Sequence, residues 1–464
     1  MLWVKDMNRS KSQKYEMDMI NGPLLGKMIV YAFPLMVSGM LQLTFNAVDL
    51  IIVGQFAGSN AMASVGSTSS LVNLMVNLFI GLSAGVNVLV ARFYGGKQQK
   101  ALKETVHTAI AVSVIGGIAL IFVGFFCSRP ILVLMDTPKE LLKDAVTYMQ
   151  IYFAGMPIIM LYNFGSAILR AVGDTKRPLY YLCIAGVLNV GLNVLFVKYM
   201  SMGTAGVALG TVLSQAVSTS LLLRALIRSE GDYKLIPSEI RITKDKLFKL
   251  LRIGLPAGIQ SCLFSFSNVL IQSSINSFGA NAVAGNTAAS NVEGLVYTGM
   301  NAFYQTGLSF TGQNYGAGKI GRIKRISFIC VGLVVIVGLV LGNAVILFDK
   351  PLLTLYGTTE AEMQYGLLRI KYICTFYFLC GVMEVLLGVL RGMGYVVLPM
   401  IVSLSGACLL RIIWIMTIFK HFNTLDVLYM SYPVTWLITS SVHLLCLIVV
   451  FKKLKKFFPD AKEA

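Results

Sequence analysis

Charged side chains stand deep inside long apolar stretches of this sequence at four positions, Asp49, Glu293, Glu384 and Arg411. An ionised group at the centre of a bilayer costs about 2.5–3.5 kcal/mol even on the more lenient insertion scale. Such residues therefore tend to face a cavity or an oppositely charged partner. Asp49 has no second aspartate within any apolar stretch, and we expect it to bind an ion or a proton.

The other charges allow two interpretations. Glu384 and Arg411 lie on neighbouring apolar stretches, and as a pair they would reduce the desolvation cost of both. If Glu384 is unpaired, it could instead bind a cationic substrate or a second proton. Glu293 closes a polar run that includes Asn286 and Asn291, which indicates the wall of a hydrated cavity or a polar network.

The composition indicates an integral membrane protein. Of the 464 residues, 56% are hydrophobic and 13% are charged, whereas soluble globular proteins carry about 25% charged residues. The apolar residues come in blocks of about 20, which is the length that an α-helix needs to cross a bilayer. One large soluble core would not produce such blocks.

We interpret twelve apolar blocks as transmembrane helices. The blocks lie at residues 27–56, 62–91, 105–128, 146–170, 179–200, 205–227, 252–278, 282–311, 326–348, 364–390, 395–419 and 427–451. An even number of spans places both termini on the same side of the membrane.

The positions of the basic residues predict the orientation. The termini and every second loop carry 30 of the 39 Lys and Arg residues. The opposite side carries eight, to which we assign Arg369, and Arg411 lies inside a span. Because cytoplasmic loops are enriched in Lys and Arg, we expect both termini in the cytoplasm and the chain in the cell membrane, among lipids. The net charge of +18 then needs no nucleic acid partner.

The two halves of the sequence repeat. Asn46 recurs as Asn268, and after a shift of one position Tyr94 recurs as Tyr315, in a register that then holds through Pro399. Each half has six spans, so both have the same orientation. The sequence thus predicts an all-α, polytopic protein with two parallel six-helix repeats around a central cavity, a plan that transporters use for alternating access.

This plan sets the expected domain boundaries. We expect a cytoplasmic N-terminal segment (1–26), an N-lobe (27–227), a cytoplasmic linker (228–251), a C-lobe (252–451) and a basic cytoplasmic tail (452–464). The acids break the repeat, because Asp49 aligns with Ile271 and Glu384 with Asn163. The two lobes are therefore expected to divide the ion and substrate functions.

Enzyme motifs are missing from the sequence. No C-x-x-C pair or H-E-x-x-H motif occurs, and His107 and His443 have no second ligand at metal spacing, so we interpret both as structural or interfacial. We expect no catalytic residue and no cofactor. An intramembrane enzyme is a remote alternative, because it would need paired aspartates, a Ser/His site or a metal-binding His pair.

Several motifs together resemble those of the multidrug and toxic compound extrusion (MATE) family. They are Asn46–Gly54, Leu169–Thr175 with its copy Leu390–Gly394, Gly312–Gly318 and the segment around Asn189. The resemblance covers about residues 20–451 and is closest to the bacterial DinF-like branch. It implies a monomeric antiporter that exports organic cations, drugs or metabolites in exchange for H+ or Na+.

The resemblance also implies a cation site in the N-lobe. The matching residues are Asp49, Asn163, Asn189, Asn193 and Thr211. Relatives often have an aspartate where this chain has Asn193, so the site holds one carboxylate fewer. All five residues could supply oxygen to Na+, the one metal ion that we expect, but the lost charge favours H+ slightly. A lipid-linked precursor flippase is the alternative function, although it would call for several cationic residues in the cavity.

Overall fold

The computed structural model describes residues 15–135 and 137–457. Within these residues every regular element is a helix. The predicted N-terminal segment before residue 15 and the tail beyond residue 457 lie outside the described part. Helices dominate because lipid offers no hydrogen-bond partners, so each spanning segment must satisfy its own backbone.

The first half of the chain forms seven α-helices. They are α1 (Leu24–Ala57), α2 (Ser59–Gly95), α3 (Gln99–Leu134), α4 (Lys139–Ala154), α5 (Met156–Ala171), α6 (Lys176–Asn193) and α7 (Gly203–Ile227). A π-helical turn, Val194–Tyr199, continues α6 without a break. A short 3-10 turn, Pro237–Glu239, lies in the linker to the second half.

The second half repeats this order. Its helices are α8 (Lys244–Asn276), α9 (Ala280–Gly316), α10 (Ile320–Leu347), α11 (Asp349–Thr354), α12 (Glu360–Gly392), α13 (Val397–Ser403), α14 (Leu410–Trp414), α15 (Lys420–Phe422) and α16 (Leu425–Phe457). Two π-helical turns, Leu404–Leu409 and Ile415–Phe419, join α13, α14 and α15 into one rod.

The helices agree with the twelve predicted blocks. Among the described residues, ten helical segments are long and apolar enough to cross a membrane, and α4 with α5, bent by 48°, forms an eleventh if the pair is one span. The remaining predicted block, 282–311, lies within α9, which has 37 residues. The polar residues around Glu293 lower the hydropathy of α9, but its length still exceeds the thickness of a bilayer core, about 30 Å.

The internal repeat predicted from the sequence is confirmed at the level of helix boundaries. Corresponding helices begin at one constant offset along the chain, at Ser59 and Ala280, Gln99 and Ile320, Lys139 and Glu360, and Lys176 and Val397. The glycines before α2 and α9 also match, since Gly58 has φ +88° and Gly279 has φ +92°. Positive φ favours glycine because it has no Cβ.

The described chain packs into two compact units. Unit 1 contains residues 41–258 and the end of the N-terminal segment through Asp18, and unit 2 contains residues 19–40 and 259 onward. The first helix of each half, α1 and α8, therefore contributes residues to both units. The lobe boundaries drawn from the repeat, with the linker 228–251, stay a prediction.

The linker packs on α3 within unit 1. His107 accepts a hydrogen bond at Nε2 from the backbone N–H of Ile236 (3.1 Å), so its Nδ1 must donate to the carbonyl oxygen of Lys103 (2.7 Å). The Lys103 ammonium lies 2.7 Å from Glu239, and this hydrogen bond holds the pKa of the Glu239 carboxyl below its usual range. His107 is thus a structural residue that fixes the linker backbone.

Candidate functional site

The side chain of Asp49 meets that of Asn193 in unit 1. Asp49 lies in the second half of α1, and Asn193 is the last residue of α6. The Asn193 amide donates a hydrogen bond of 2.6 Å to Oδ1 of Asp49. Asn193 is fully buried, whereas Asp49 is partly exposed. A partly exposed carboxylate that is held by a buried amide can be reached by an ion while its orientation stays fixed.

Two further predicted residues form a second contact, one helical turn before Asn193. Asn189 precedes Asn193 by one helical turn, so both project from the same face of α6. The Asn189 amide lies 3.5 Å from the hydroxyl of Thr211 on α7, which itself donates to the carbonyl oxygen of Val207 (3.0 Å). The Asp49–Asn193 and Asn189–Thr211 contacts are therefore one helical turn apart along one face of α6.

The amide oxygens in this region lack partners. The Oδ1 atoms of Asn189 and Asn193 are both buried and accept no hydrogen bond from any described residue. A buried acceptor without a partner costs about 1–3 kcal/mol. Two such oxygens beside a carboxylate can accept a hydrogen bond from a protonated Asp49 or coordinate a hard cation, which prefers oxygen ligands.

Asn163 bonds within its own helix. Its amide donates to the carbonyl oxygen of Ile159, one turn back on α5, at 2.9 Å. The side chain thus satisfies its donor on its own helix, as polar residues in membrane helices often do. Of the five residues that the resemblance implied, the structure joins four in two hydrogen-bonded pairs, and the part of Asn163 in the site stays a prediction.

Two tyrosines that interact with Asp49 were not identified from the sequence. Tyr148 and Tyr152 lie one turn apart on α4, and their rings stack with centroids 6.1 Å apart. Both phenols are close enough to interact electrostatically with Asp49. Their separation by one helical turn could have indicated a shared helix face, but nothing in the sequence pattern aimed that face at Asp49.

The π-helical turn begins directly after Asn193. π-Helical turns are rare and occur frequently at functional sites, because they insert an extra residue and rotate the side chains that follow. Here Val197 in the turn and Val207 on α7 are both buried in one apolar cluster with Ile52 and Val53 of α1. The cluster holds the helix segments that carry Asp49 and Asn193 against each other.

Gly210 on α7 sets the position of the Asn193 amide. A Cβ at residue 210 would collide with Oδ1 of Asn193 and would lie 3.4 Å from its backbone nitrogen. The missing side chain leaves the space in which the amide oxygen lies. We therefore regard Gly210 as a positioning residue for the Asp49–Asn193 hydrogen bond.

Gly210→Ala is expected to weaken ion-coupled transport about 10-fold, because overpacking costs about 1–3 kcal/mol and would displace the Asn193 amide from Asp49. The measurement is dye efflux from proteoliposomes at several values of the imposed ion gradient. Gly191→Ala is the matched control, since a Cβ at Gly191, close to Asn193 in the chain, would meet nothing within 4 Å. Equal efflux by the two variants would contradict the assignment of Gly210.

Unit 2 contains a buried ion pair that the sequence did not predict. Arg369 on α12 donates from Nε and Nη2 to the two carboxylate oxygens of Glu293 on α9, both at 2.8 Å. Nη1 of Arg369 donates to Oδ1 of Asn286 at 2.6 Å. Arg369 lies two and a half turns inside α12, which begins at Glu360, and its side chain is buried. Its assignment to the side of the membrane opposite the termini stays a prediction.

Arg411 does not pair with Glu384. Its guanidinium carbon lies 4.1 Å from the ring centroid of Tyr432, and Nη2 donates to the hydroxyl of Thr435 at 3.3 Å. Cation–π contact with a desolvated ring stabilises the charge by about 2 kcal/mol. The described residues thus show no ion pair between Glu384 and Arg411, and the interpretation of these two residues as a salt bridge is wrong.

Glu384 instead lies beside a row of aromatic rings. Its carboxylate interacts electrostatically with Tyr297 on α9. Tyr297 stacks on Tyr377 with centroids 6.5 Å apart, and Tyr377 stacks on Trp436 at 5.3 Å. Tyr297 is 39% exposed, so the protein leaves part of this ring uncovered. A carboxylate next to aromatic rings is suited to an aromatic cation.

The last two polar candidates in unit 2 differ in burial. Asn286 is buried, and its Oδ1 also accepts a hydrogen bond of 3.3 Å from the hydroxyl of Tyr429. Its amide nitrogen donates to Oε1 of Gln272 at 3.0 Å. Asn291 is exposed, as expected for a residue on the opposite face of α9. Asn286 thus belongs to the Arg369 network, and Asn291 does not.

Comparison with known proteins gives one consistent result. The model of the MatE family matches residues 34–195 and 256–417, one copy in each half of the chain. The chain is 28% identical over 428 residues to "Probable multidrug resistance protein YoeA" of Bacillus subtilis, covering 89% of this chain and 91% of that protein. It is 24% identical over 405 residues to "Probable multidrug resistance protein NorM" of Thermotoga maritima, covering 86% of each.

Solved structures agree on the fold. An outward-facing "multidrug resistance MATE family transporter of the MOP superfamily" superposes with a TM-score of 0.89, covering 97% of this chain and all of that one, at 20% identity.

A more distant relative is named "FAD transporter" in Shewanella oneidensis and is 23% identical over 75% of this chain and 77% of that protein.

Proposed function

The chain belongs to the MatE family of membrane transporters, and from that premise we propose that it is an antiporter that expels amphipathic organic cations in exchange for H+. The observation that carries the proposal is the Asp49–Asn193 hydrogen bond beside two unpartnered amide oxygens. The multidrug resistance proteins to which it is similar support drug efflux as the direction of transport. A transporter of this family is not an enzyme.

Asp49 is the residue that takes the coupling ion in this mechanism. When Asp49 is ionised, Asn193 donates to one of its oxygens. When Asp49 takes up a proton, its O–H can donate to the free oxygen of Asn189 or Asn193. Each protonation state thus has its own hydrogen-bond arrangement, and the change between them can shift the helix segments that carry these residues.

The proposal of H+ rests on the charge of the site. Asp49 is the single carboxylate among the four clustered residues, since Asn189, Asn193 and Thr211 are neutral. Na+ could use the oxygens of the same four residues, but one carboxylate compensates poorly for the dehydration of the ion. Asp49 needs no further charged ligand to exchange a proton. The sodium alternative is one arm of the test below.

The substrate is proposed to bind in unit 2, next to Glu384. The carboxylate attracts a cation, while Tyr297 and Tyr377 offer stacking surfaces. Aromatic rings bind cations of many shapes, which fits a broad substrate range. The flippase alternative gains no support from Arg369, because its charge is balanced by Glu293.

We further propose that the protein functions as a monomer in the cell membrane with both termini in the cytoplasm. The basis for the orientation is the distribution of the basic residues, 30 of 39 on one side. Cysteine labelling of single residues placed in the predicted cytoplasmic and external loops would test this topology.

Transport by purified protein in proteoliposomes tests the function. Ethidium efflux is followed while a pH gradient and a Na+ gradient are imposed separately. We expect the pH gradient alone to drive dye movement, and a protonophore to stop it. If the Na+ gradient drives movement in the presence of the protonophore, the ion is Na+. If neither gradient drives movement, the proposed antiport is wrong.

A further inference from the structure

Corresponding positions of the two halves can be compared one by one, because α9, α10, α12 and α13 begin at one constant offset from α2, α3, α4 and α6. A π-helical turn follows the same offset, since the turn that begins at Val194 in unit 1 corresponds to the turn that begins at Ile415 in unit 2. In α1 and α8 the offset is longer by one position, as the pair Pro34 and Pro256 shows. The same longer offset joins α7, which begins at Gly203, to α16, which begins at Leu425.

The counterparts of the cation ligands in unit 2 do not offer a cation site. Asp49, Asn189, Asn193 and Thr211 correspond to Ile271, Leu410, Trp414 and Pro433, respectively. None of these four has a carboxylate or an amide oxygen. Ile271 is 1% exposed and packs in one apolar cluster with Tyr432 and Trp414. An exchangeable ion would find no ligand at these positions.

A fixed cation lies in this region instead. Arg369 is the counterpart of Tyr148, the residue that interacts with Asp49 in unit 1. The Arg369 guanidinium lies 5.7 Å from the ring centroid of Tyr432, which packs in one cluster with Ile271 and Trp414, the counterparts of Asp49 and Asn193. The positive charge in unit 2 is therefore held beside a ring that contacts the apolar cluster formed by these counterparts.

The groups around this guanidinium are those that a bound cation would need. Glu293 supplies a carboxylate with two contacts of 2.8 Å, and Asn286 supplies an amide oxygen at 2.6 Å. Unit 1 offers the same two types of group, the carboxylate of Asp49 and the amide oxygens of Asn189 and Asn193. In the described part of unit 1, no positively charged side chain donates to these two amide oxygens.

We propose that Arg369 is a tethered cation that permanently fills the position of an exchangeable ion in unit 2, so that the chain couples one ion per transport cycle, through Asp49 alone. This inference rests on the proposed role of Asp49. Glu293 is then a counter-ion that neither takes up nor releases a proton during transport, although it is a carboxylate within a membrane helix.

Neutralising the pair tests the inference. In the double variant Glu293→Gln with Arg369→Met both charges are removed together, which costs little stability compared with the loss of one partner. Ethidium is added to the detergent-solubilised protein in weak buffer, and a pH indicator reports the protons released per chain. We expect one proton from the wild type, one from the double variant and none from Asp49→Asn.

Each contrary outcome has a distinct meaning. Two protons from the wild type and one from Asp49→Asn would overturn the inference, because unit 2 would then exchange an ion. Loss of release in a double variant that still binds ethidium would overturn it as well. Undiminished release by Asp49→Asn would instead refute the proposed function. If the double variant does not fold, Arg369→Lys, which keeps the charge, is expected to release one proton, and its failure to do so while binding ethidium would count against a tethered cation.

Discussion

Replacing Asp49 by asparagine is expected to abolish gradient-driven efflux, lowering its rate by about 100-fold or more, while the protein still inserts and folds. Asparagine has nearly the same shape as aspartate but cannot exchange a proton and carries no charge for a cation. A 100-fold loss corresponds to about 2.7 kcal/mol, which is within the range for a hydrogen bond to a charged group. The Asp49–Asn193 contact of 2.6 Å is such a bond.

The measurement is ethidium efflux from proteoliposomes across a series of imposed pH gradients. The wild type should respond to the gradient, and Asp49→Asn should not respond at any value. Asp144→Asn is the matched control, because Asp144 is an exposed aspartate of the same unit and its substitution removes the same charge. A gradient response that survives in Asp49→Asn would remove the central residue of the mechanism.

Replacing Arg369 by alanine is expected to destabilise the protein by about 3–5 kcal/mol, because Glu293 would be left buried without its partner. Both side chains are more than nine-tenths buried, and the pair is bidentate with two contacts of 2.8 Å. The melting temperature should fall by roughly 10 °C, given the size of unit 2. Thermal unfolding in detergent, followed by intrinsic fluorescence, gives this value.

Two variants complete this comparison. Lys371→Ala removes a nearby positive charge on the same helix that is exposed, and its melting temperature should stay close to that of the wild type. Adding Glu293→Gln to Arg369→Ala should recover much of the loss, since the buried charge is then gone. If Arg369→Ala melts like Lys371→Ala, the ion pair does not contribute to the stability of unit 2.

The sequence predicted the fold class, the spans and the repeat closely. Apolar length is a local property, and because backbone groups in lipid must be satisfied within each segment, a block of about 20 apolar residues becomes a helix whatever its neighbours are. The block 282–311 illustrates this, since α9 forms there although it carries Glu293 and several asparagines. The constant offset between the two halves likewise needed only the comparison of the sequence with itself.

The polar contacts within each unit were decided by tertiary packing. Nothing in the twelve apolar blocks of the sequence indicates whether Arg411 or Arg369 pairs with an acidic side chain. Which arginine does so depends on how far each helix extends and how it is rotated against its neighbours. Arg369 thus pairs with Glu293, and Arg411 stacks on Tyr432 rather than binding Glu384.

The same distinction holds at the candidate cation site. The sequence identified Asp49 as an unusual charge, and the resemblance supplied four further residues. Asn193 donates to Asp49, Asn189 contacts Thr211 one turn away, and Asn163 bonds to its own helix. Burial of a charge is costly wherever it occurs, so its importance can be predicted from its position in the chain. Which amide reaches it depends on helix rotations and on a missing Cβ at Gly210, and these only the packed structure determines.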